Sequence, residues 1–272
     1  MTRDYLCMAL TRDQVEQFEE QGYLFHPGTF SEDEVEVLRQ EVPGIFAQQR
    51  PEVWREKGGQ AVRTAFAAHH YNEAFRLLGN HPRVIEPVME LLGGPVYIHQ
   101  FKINAKAAFD GDVWQWHQDY GTWARDDLMP EPRAMNIAVF LDDVTEFNGP
   151  LMFIPKSHRA GTLEAGHDLG TTSYPLWTID KQTVTRLVGQ GGIVSPKGPA
   201  GSLLMFHCNL VHASPGNISP FNRSIVYISA CHVDNHIRRF HREEWIAHRD
   251  FTPIECEPDD CLIDYSQSRK AK

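Results

Sequence analysis

Val113-Trp114-Gln115-Trp116-His117-Gln118-Asp119-Tyr120 is rich in aromatic residues and ends on a histidine and an aspartate two positions apart. Read as a strand, it sends residues i and i+2 to the same face, so the His117 imidazole and the Asp119 carboxylate converge on one point. One nitrogen and one oxygen so placed are two-thirds of the two-histidine, one-carboxylate face that holds non-haem iron in oxygenases. A lone H-x-D arises often by chance. Its weight rests on the strands around it, and on whether a second histidine and an anchor for an acidic co-substrate follow.

Working outward, Val96 to Asn104 alternates and is rich in β-formers. Arg133 to Leu141 reads as a strand with Met135, Ile137, Val139 and Leu141 on one face. Asn148-Gly149-Pro150 is a turn before the apolar run Leu151-Met152-Phe153-Ile154. Residues 161–190 look irregular, with a short helix at 180–188. Gly201 to Phe206 and Ser224 to Cys231 are two further strands. Short strands punctuated by turns predict a mainly β fold with flanking helices, a double-stranded β-helix (a jelly roll, cupin-like).

Upstream, Thr11-Arg12-Asp13-Gln14 is a capping box before Val15 and Phe18, and Gly22 ends that helix. Tyr23 to Gly28 is a short strand closed by a turn. Ser31-Glu32-Asp33-Glu34 opens a second helix with Val35, Leu38 and Val42 on one face. Arg50 to Gly59 reads as a loop and 71–79 as a helix. His81-Pro82 opens another helix that Gly93-Gly94 closes. The chain is thus predicted to be one domain over 1–272. Its parts are a helical N-terminal portion (about 1–95), a jelly-roll core (about 96–235) and a C-terminal extension (about 236–272).

Composition narrows the function classes. The 272 residues are 42% hydrophobic and 23% charged, with a formal net charge of −10. This balance argues against a sequence-independent nucleic-acid binder, which needs a basic face. No stretch approaches the length of an apolar membrane span, and Met1 to Tyr5 lacks a signal-peptide core, so neither membrane nor nucleic acid is expected as a partner. The odd, scattered Cys7, Cys208, Cys231, Cys256 and Cys261 form no C-x-x-C pair and read as free thiols of a reducing cytoplasm. The oligomeric state is not legible.

A second histidine does follow. The apolar strand from Gly201 runs through Phe206 and His207 to His212 and then into the turn Ala213-Ser214-Pro215-Gly216. A strand end is where a rigid scaffold presents a ligand. His207 lies near the same end and competes with His212; His99, His158 and His232 sit in or beside other strands as core or rim residues. With 14 histidines in the chain, most are bland. Eleven residues after His212, Arg223 starts the next strand, where its planar fork can grip a carboxylate. The joint pattern is rarer than any of its parts.

Together with Asn148-Gly149-Pro150-Leu151, Ile154-Pro155-Lys156-Ser157-His158 and the opening Asp13-x-x-x-x-Phe18-x-x-x-Gly22-Tyr23, the chain resembles the phytanoyl-CoA dioxygenase-like superfamily of Fe(II)/2-oxoglutarate oxygenases over nearly its whole length. Within it, His99 to Lys106, Gly111 to Trp114 and Trp116 to Tyr120 are similar to bacterial trans-4-hydroxylases of free L-proline. The ectoine hydroxylases are slightly more distant, and their arginine two residues after the glutamine appears here as Lys102.

The resemblance implies roles. His117, Asp119 and His212 would bind Fe(II), and Arg223 would hold the far carboxylate of 2-oxoglutarate. Asn104 and Thr122 would lie against the co-substrate. Gln100, Lys102, Trp116 and Trp123 would lie against the prime substrate, the two tryptophans being equally readable as core aromatics. O2 would be the second co-substrate and ascorbate a stimulant. The reaction implied is hydroxylation of an unactivated C–H bond of a free small amino acid, foremost L-proline, with release of succinate and CO2. Arg125, Asp126 and Asp127, and the aromatics Trp114 and Tyr120, are further candidates for enclosing a zwitterion with an apolar ring. Two other classes stand beside this reading. A halogenase on the same fold would lack the carboxylate that Asp119 supplies. A metal-free binding protein would have no use for an intact triad with Arg223. The acidic balance gives no sign of a basic groove for an acyl-CoA.

Overall fold

The computed structural model describes residues 9–170 and 174–270; Met1 to Tyr5 and Cys7 lie outside the described residues. In chain order the helices are α1 (Arg12–Gln21), α2 (Glu32–Phe46), α3 (Glu73–Gly79), α4 (Pro82–Leu92), α5 (Asp119–Asp126), α6 (Lys181–Gly191) and α7 (Cys261–Lys270). The strands are β1 (Tyr23–His26), β2 (Val53–Arg55), β3 (Val62–Phe66), β4 (Val96–Lys106), β5 (Trp114–His117), β6 (Ala134–Phe140), β7 (Met152–Phe153), β8 (Gly166–Asp168), β9 (Leu176–Thr178), β10 (Leu203–His207), β11 (His212–Ser214) and β12 (Arg223–His232).

Seven strands pair antiparallel in the order β1-β10-β6-β12-β4-β3-β2, three in the order β5-β11-β7, and β8 with β9 as a hairpin. The fold is the double-stranded β-helix. Both faces of the large sheet are covered, and both carry apolar clusters. Met135, Ile137, Val139, Leu203, Met205, Val226 and Ile228 alternate onto one face, against Val35 and Leu38 of α2, Phe75 and Leu78 of α3, Val84, Ile85 and Val88 of α4 and Leu262 of α7. Ala138, Phe140, Leu204, Phe206, Ile225 and Tyr227 alternate onto the other, where Phe153 of the small sheet meets them. Each such fully buried side chain contributes about 1.5–3 kcal/mol relative to exposure.

The local signals act as read for the first helices. Thr11 and Ser31 both close capping boxes, and Gly22 and Gly93 end their helices in the left-handed conformation. Three regions differ from expectation. Residues 50–59 are not only a loop: β2 lies within them, and β3, buried along its whole length, carries the sheet outward from β4. The 161–190 stretch holds the β8–β9 hairpin before a helix that Asp180 caps and that runs to Gly191. The strand from Val113 ends at His117, and Asp119 opens α5. Cys208, Cys231 and Cys261 are buried free thiols. No helix among the described residues is long and apolar enough to cross a membrane.

Candidate metal and co-substrate site

His117 ends β5 and His212 begins β11, and the two are register partners across the small sheet. Their rings lie 4.0 Å apart. Nδ1 of His117 is 2.7 Å from the Gln115 carbonyl and Nδ1 of His212 is 2.9 Å from the Leu210 carbonyl. A carbonyl only accepts, so both Nδ1 atoms carry the proton and both Nε2 lone pairs are free. Those Nε2 atoms point at the two oxygens of Asp119, 3.4 Å from Oδ1 for His117 and 3.6 Å from Oδ2 for His212. The three donor atoms lie within 4.8 Å of one another. Asp119 reaches this point not by strand alternation, as its spacing suggested, but because the chain turns into α5 directly after His117.

The carboxylate is itself held. The Asn136 amide donates to Asp119 Oδ2 at 2.7 Å, and the Ser229 hydroxyl donates to Asn136 Oδ1 at 2.6 Å. Burial works against the Asp119 charge, but His212, His117 and Lys102 outweigh it and hold the carboxyl well below its usual range. Burial, then the neighbouring His117, lowers His212 to about 4, so its ring is neutral at pH 7. One carboxylate and two imidazoles whose Nδ1 atoms are tied to backbone carbonyls are a donor set suited to a divalent first-row metal, and hydrogen-bonded supports of this kind orient ligands.

Arg223, at the start of β12, faces the same cavity and is 1% exposed. Its Nε and one terminal nitrogen, Nη1, have no hydrogen-bond partner, while Tyr227 lies against the guanidinium. A buried cation with an open fork is costly unless a carboxylate meets it. Asn104 also faces the cavity; its Oδ1 accepts from Thr64 at 2.6 Å, which leaves its amide N–H groups for a ligand. Gln100, Lys102, Thr122 and Trp123 line the cavity too. The Gln100 amide donates to the Ile246 carbonyl at 2.8 Å.

Not every candidate is there. Trp116 is absent from the cavity wall and packs with Ile154, Ile179, Leu187 and Val211. The reason is a register shift in the β5–β11 pair: two steps from His212 to Ser214 match three from His117 to Trp114. The extra residue carries Trp114 round to the His117 face. Tyr120 donates to the Pro130 carbonyl, Arg125 to backbone carbonyls, and Asp126 accepts from Trp177, all away from the cavity. His207 rests against Phe18 and His158, remote from the triad. The sequence reading did not single out Tyr174, Leu176 or Arg242. Arg242 comes from the irregular C-terminal extension, grips buried Asp127 with a fork whose Nε–Oδ1 arm is 2.7 Å, and lines the cavity beside Tyr174.

The phytanoyl-CoA dioxygenase model matches residues 18–225. The chain belongs to the phytanoyl-CoA dioxygenase family. It is 38% identical over 243 residues to L-proline trans-4-hydroxylase of Streptomyces griseoviridis, covering 86% of this chain and 91% of that protein. It is 35% identical over 236 residues to ectoine dioxygenase of Halomonas elongata, covering 83% of this chain and 71% of that one. EctD from S. alaskensis, solved with 2-oxoglutarate and 5-hydroxyectoine, superposes with a TM-score of 0.82 at 31% identity, over 91% of this chain and 87% of the other. The carbocyclase SnoK shares the fold with a TM-score of 0.69 at 21% identity. Family membership and the donor set together make this chain an iron- and 2-oxoglutarate-dependent dioxygenase.

Proposed function

We propose that the chain hydroxylates a ring carbon of a free cyclic amino acid, L-proline foremost, using Fe(II) held by His117, Asp119 and His212 and 2-oxoglutarate anchored by Arg223. The observation that carries the reading is the conjunction of that triad with the open Arg223 fork in one cavity. His117, Asp119 and His212 would supply three donors to the ion and leave room for 2-oxoglutarate and O2. Held by these residues, Fe(II) would activate O2, one oxygen atom of which would enter succinate as 2-oxoglutarate loses CO2 and the other the substrate C–H bond. The chain's own residues do the rest. Asn136 holds Asp119 in its ligating pose, Arg223 pairs with the far carboxylate of 2-oxoglutarate, and the Asn104 amide donates to the same co-substrate. The helical portion, barrel and C-terminal extension act as one catalytic unit.

The remaining wall suits a small zwitterion with an apolar ring. Lys102 and Arg242 offer cations for its carboxylate, the Gln100 carbonyl oxygen offers an acceptor for its ammonium, and Trp114, Trp123, Tyr174 and Leu176 offer apolar surface. Lys102 in place of the ectoine enzymes' arginine, and the 38% identity to the proline hydroxylase, support L-proline. Ectoine is the second reading, supported by several ectoine dioxygenase relatives at 31–36% identity. The test is a panel of L-proline, ectoine and other free amino acids with Fe(II), ascorbate and 2-oxoglutarate, scored by succinate and product mass. One added oxygen on L-proline supports the proposal. Turnover of ectoine or another amino acid with L-proline inert overturns the substrate and leaves the iron and 2-oxoglutarate assignment standing.

A further inference from the structure

A second histidine cluster lies on the other side of β4. His69 and His70 belong to the 3-10 turn Ala68–His70, and His248 to the C-terminal extension. Ring centroids are 4.0 Å apart for His69 and His70, 4.9 Å for His69 and His248, and 4.7 Å for His70 and His248. One ring nitrogen from each falls within 4.8 Å of the other two. The cluster is separate from the catalytic cavity: His69 stacks on Phe101 at 4.6 Å, whereas Gln100 and Lys102, its neighbours in β4, face the triad.

Two observations point to a ligand. First, His248 is 2% exposed and at most one of its two ring nitrogens meets a partner, the backbone of Glu244, while the buried Nδ1 of His69 has none. Buried polar atoms left without a partner are costly. Second, the rings open into a cavity that Asp250 also lines, so an ion has an entry path and a further oxygen donor at hand.

We propose that His69, His70 and His248 form a second metal site for a borderline divalent ion of the zinc class, with Asp250 or water completing the coordination. Three imidazoles suit zinc, copper or nickel, and not magnesium or calcium, which take oxygen donors. The site is a clasp. The His248 amide donates to the His99 carbonyl at 3.0 Å, and the Ile246 carbonyl accepts from Gln100. An ion there ties the 3-10 turn to the segment that delivers Arg242 to the catalytic cavity.

The test counts zinc on the full chain after equilibration with Zn(II) and gel filtration, for the parent, His70→Ala and a His117→Ala/His212→Ala double variant. His70 is exposed, so its loss spares the packed interior, and circular dichroism checks the fold. Two zinc ions per chain are expected in the parent and one in each variant, with the clasp affinity falling roughly tenfold or more in His70→Ala. A second readout is thermal: Zn(II) raises the Tm of the double variant, and His69→Asn with His70→Ala in that background abolishes the rise. One zinc in the parent, undiminished zinc in His70→Ala, or a Tm rise that survives loss of both residues overturns the proposal.

Discussion

The two catalytic-site imidazoles are prepared by their own backbone. Each donates Nδ1–H to the carbonyl two residues back, so each offers Nε2 towards Asp119. The sequence shows the residue types and spacing of this site, because H-x-D, a strand-end histidine and an arginine eleven on are local patterns. It does not show Asn136 or Ser229, whose contacts with Asp119 and with each other cross strands far apart in the chain. It does not show Arg242 either, since an arginine in an irregular segment carries no periodicity. Asn136→Ala is expected to weaken Fe(II) binding by about 10–100-fold with the fold intact, measured by competition with a chelator; unchanged affinity would remove Asn136 from that role. Arg223→Ala removes a charge-assisted contact worth about 2–5 kcal/mol, so the KM for 2-oxoglutarate is expected to rise roughly 30-fold or more. An unchanged KM would move the anchor to Lys102.

At the scale of elements, the site depends on how β5, α5 and β11 meet. The strand expected to run to Tyr120 stops at His117, because its residues pair with β11 only to that point and α5 takes over. The resemblance put Trp116 against the substrate; the register shift instead presents Trp114, which strict alternation would turn away from His117. A shift of one residue exchanges faces and leaves no mark in hydrophobic pattern. The core strands β6, β10 and β12 were legible for the opposite reason: both their faces are buried, and the apolar runs 137–140, 203–206 and 225–228 announce that. The turn into β10 is the tightest joint. Gly201 has φ of 83°, and a Cβ there would sit 2.2 Å from the Phe30 carbonyl oxygen. Gly201→Ala is expected to cost about 2 kcal/mol or more of stability by urea unfolding; a loss under a few tenths would show that α2 and β10 shift freely to make room.

For the whole molecule, stability should depend on pH through histidines buried in neutral form. Burial, then the adjacent Arg83, lowers His81 to about 4, and burial with His158 beside it lowers His207 to about 4. His81 accepts from the Arg83 amide through Nδ1 and faces the Asp259 carbonyl through Nε2, the pattern of a neutral ring. The unfolded chain protonates these groups near 6.5 and the folded chain only near 4, so the unfolded state binds protons first as pH falls. Their contribution is full above about 6.5 and is lost progressively down to about 4. The urea midpoint is expected to drop between pH 7 and pH 5, and less steeply in His81→Gln. A midpoint flat across that window would contradict the burial of these rings as neutral groups.

The most direct measurement of the central claim is succinate released from 2-oxoglutarate by the Fe(II)-reconstituted chain with L-proline present, compared among the parent, His212→Ala and His207→Ala. Succinate matched by hydroxylated product in the parent and in His207→Ala, with loss in His212→Ala, is the expected result. Retention in His212→Ala with loss in His207→Ala, or no succinate from the parent with any free amino acid, would contradict it.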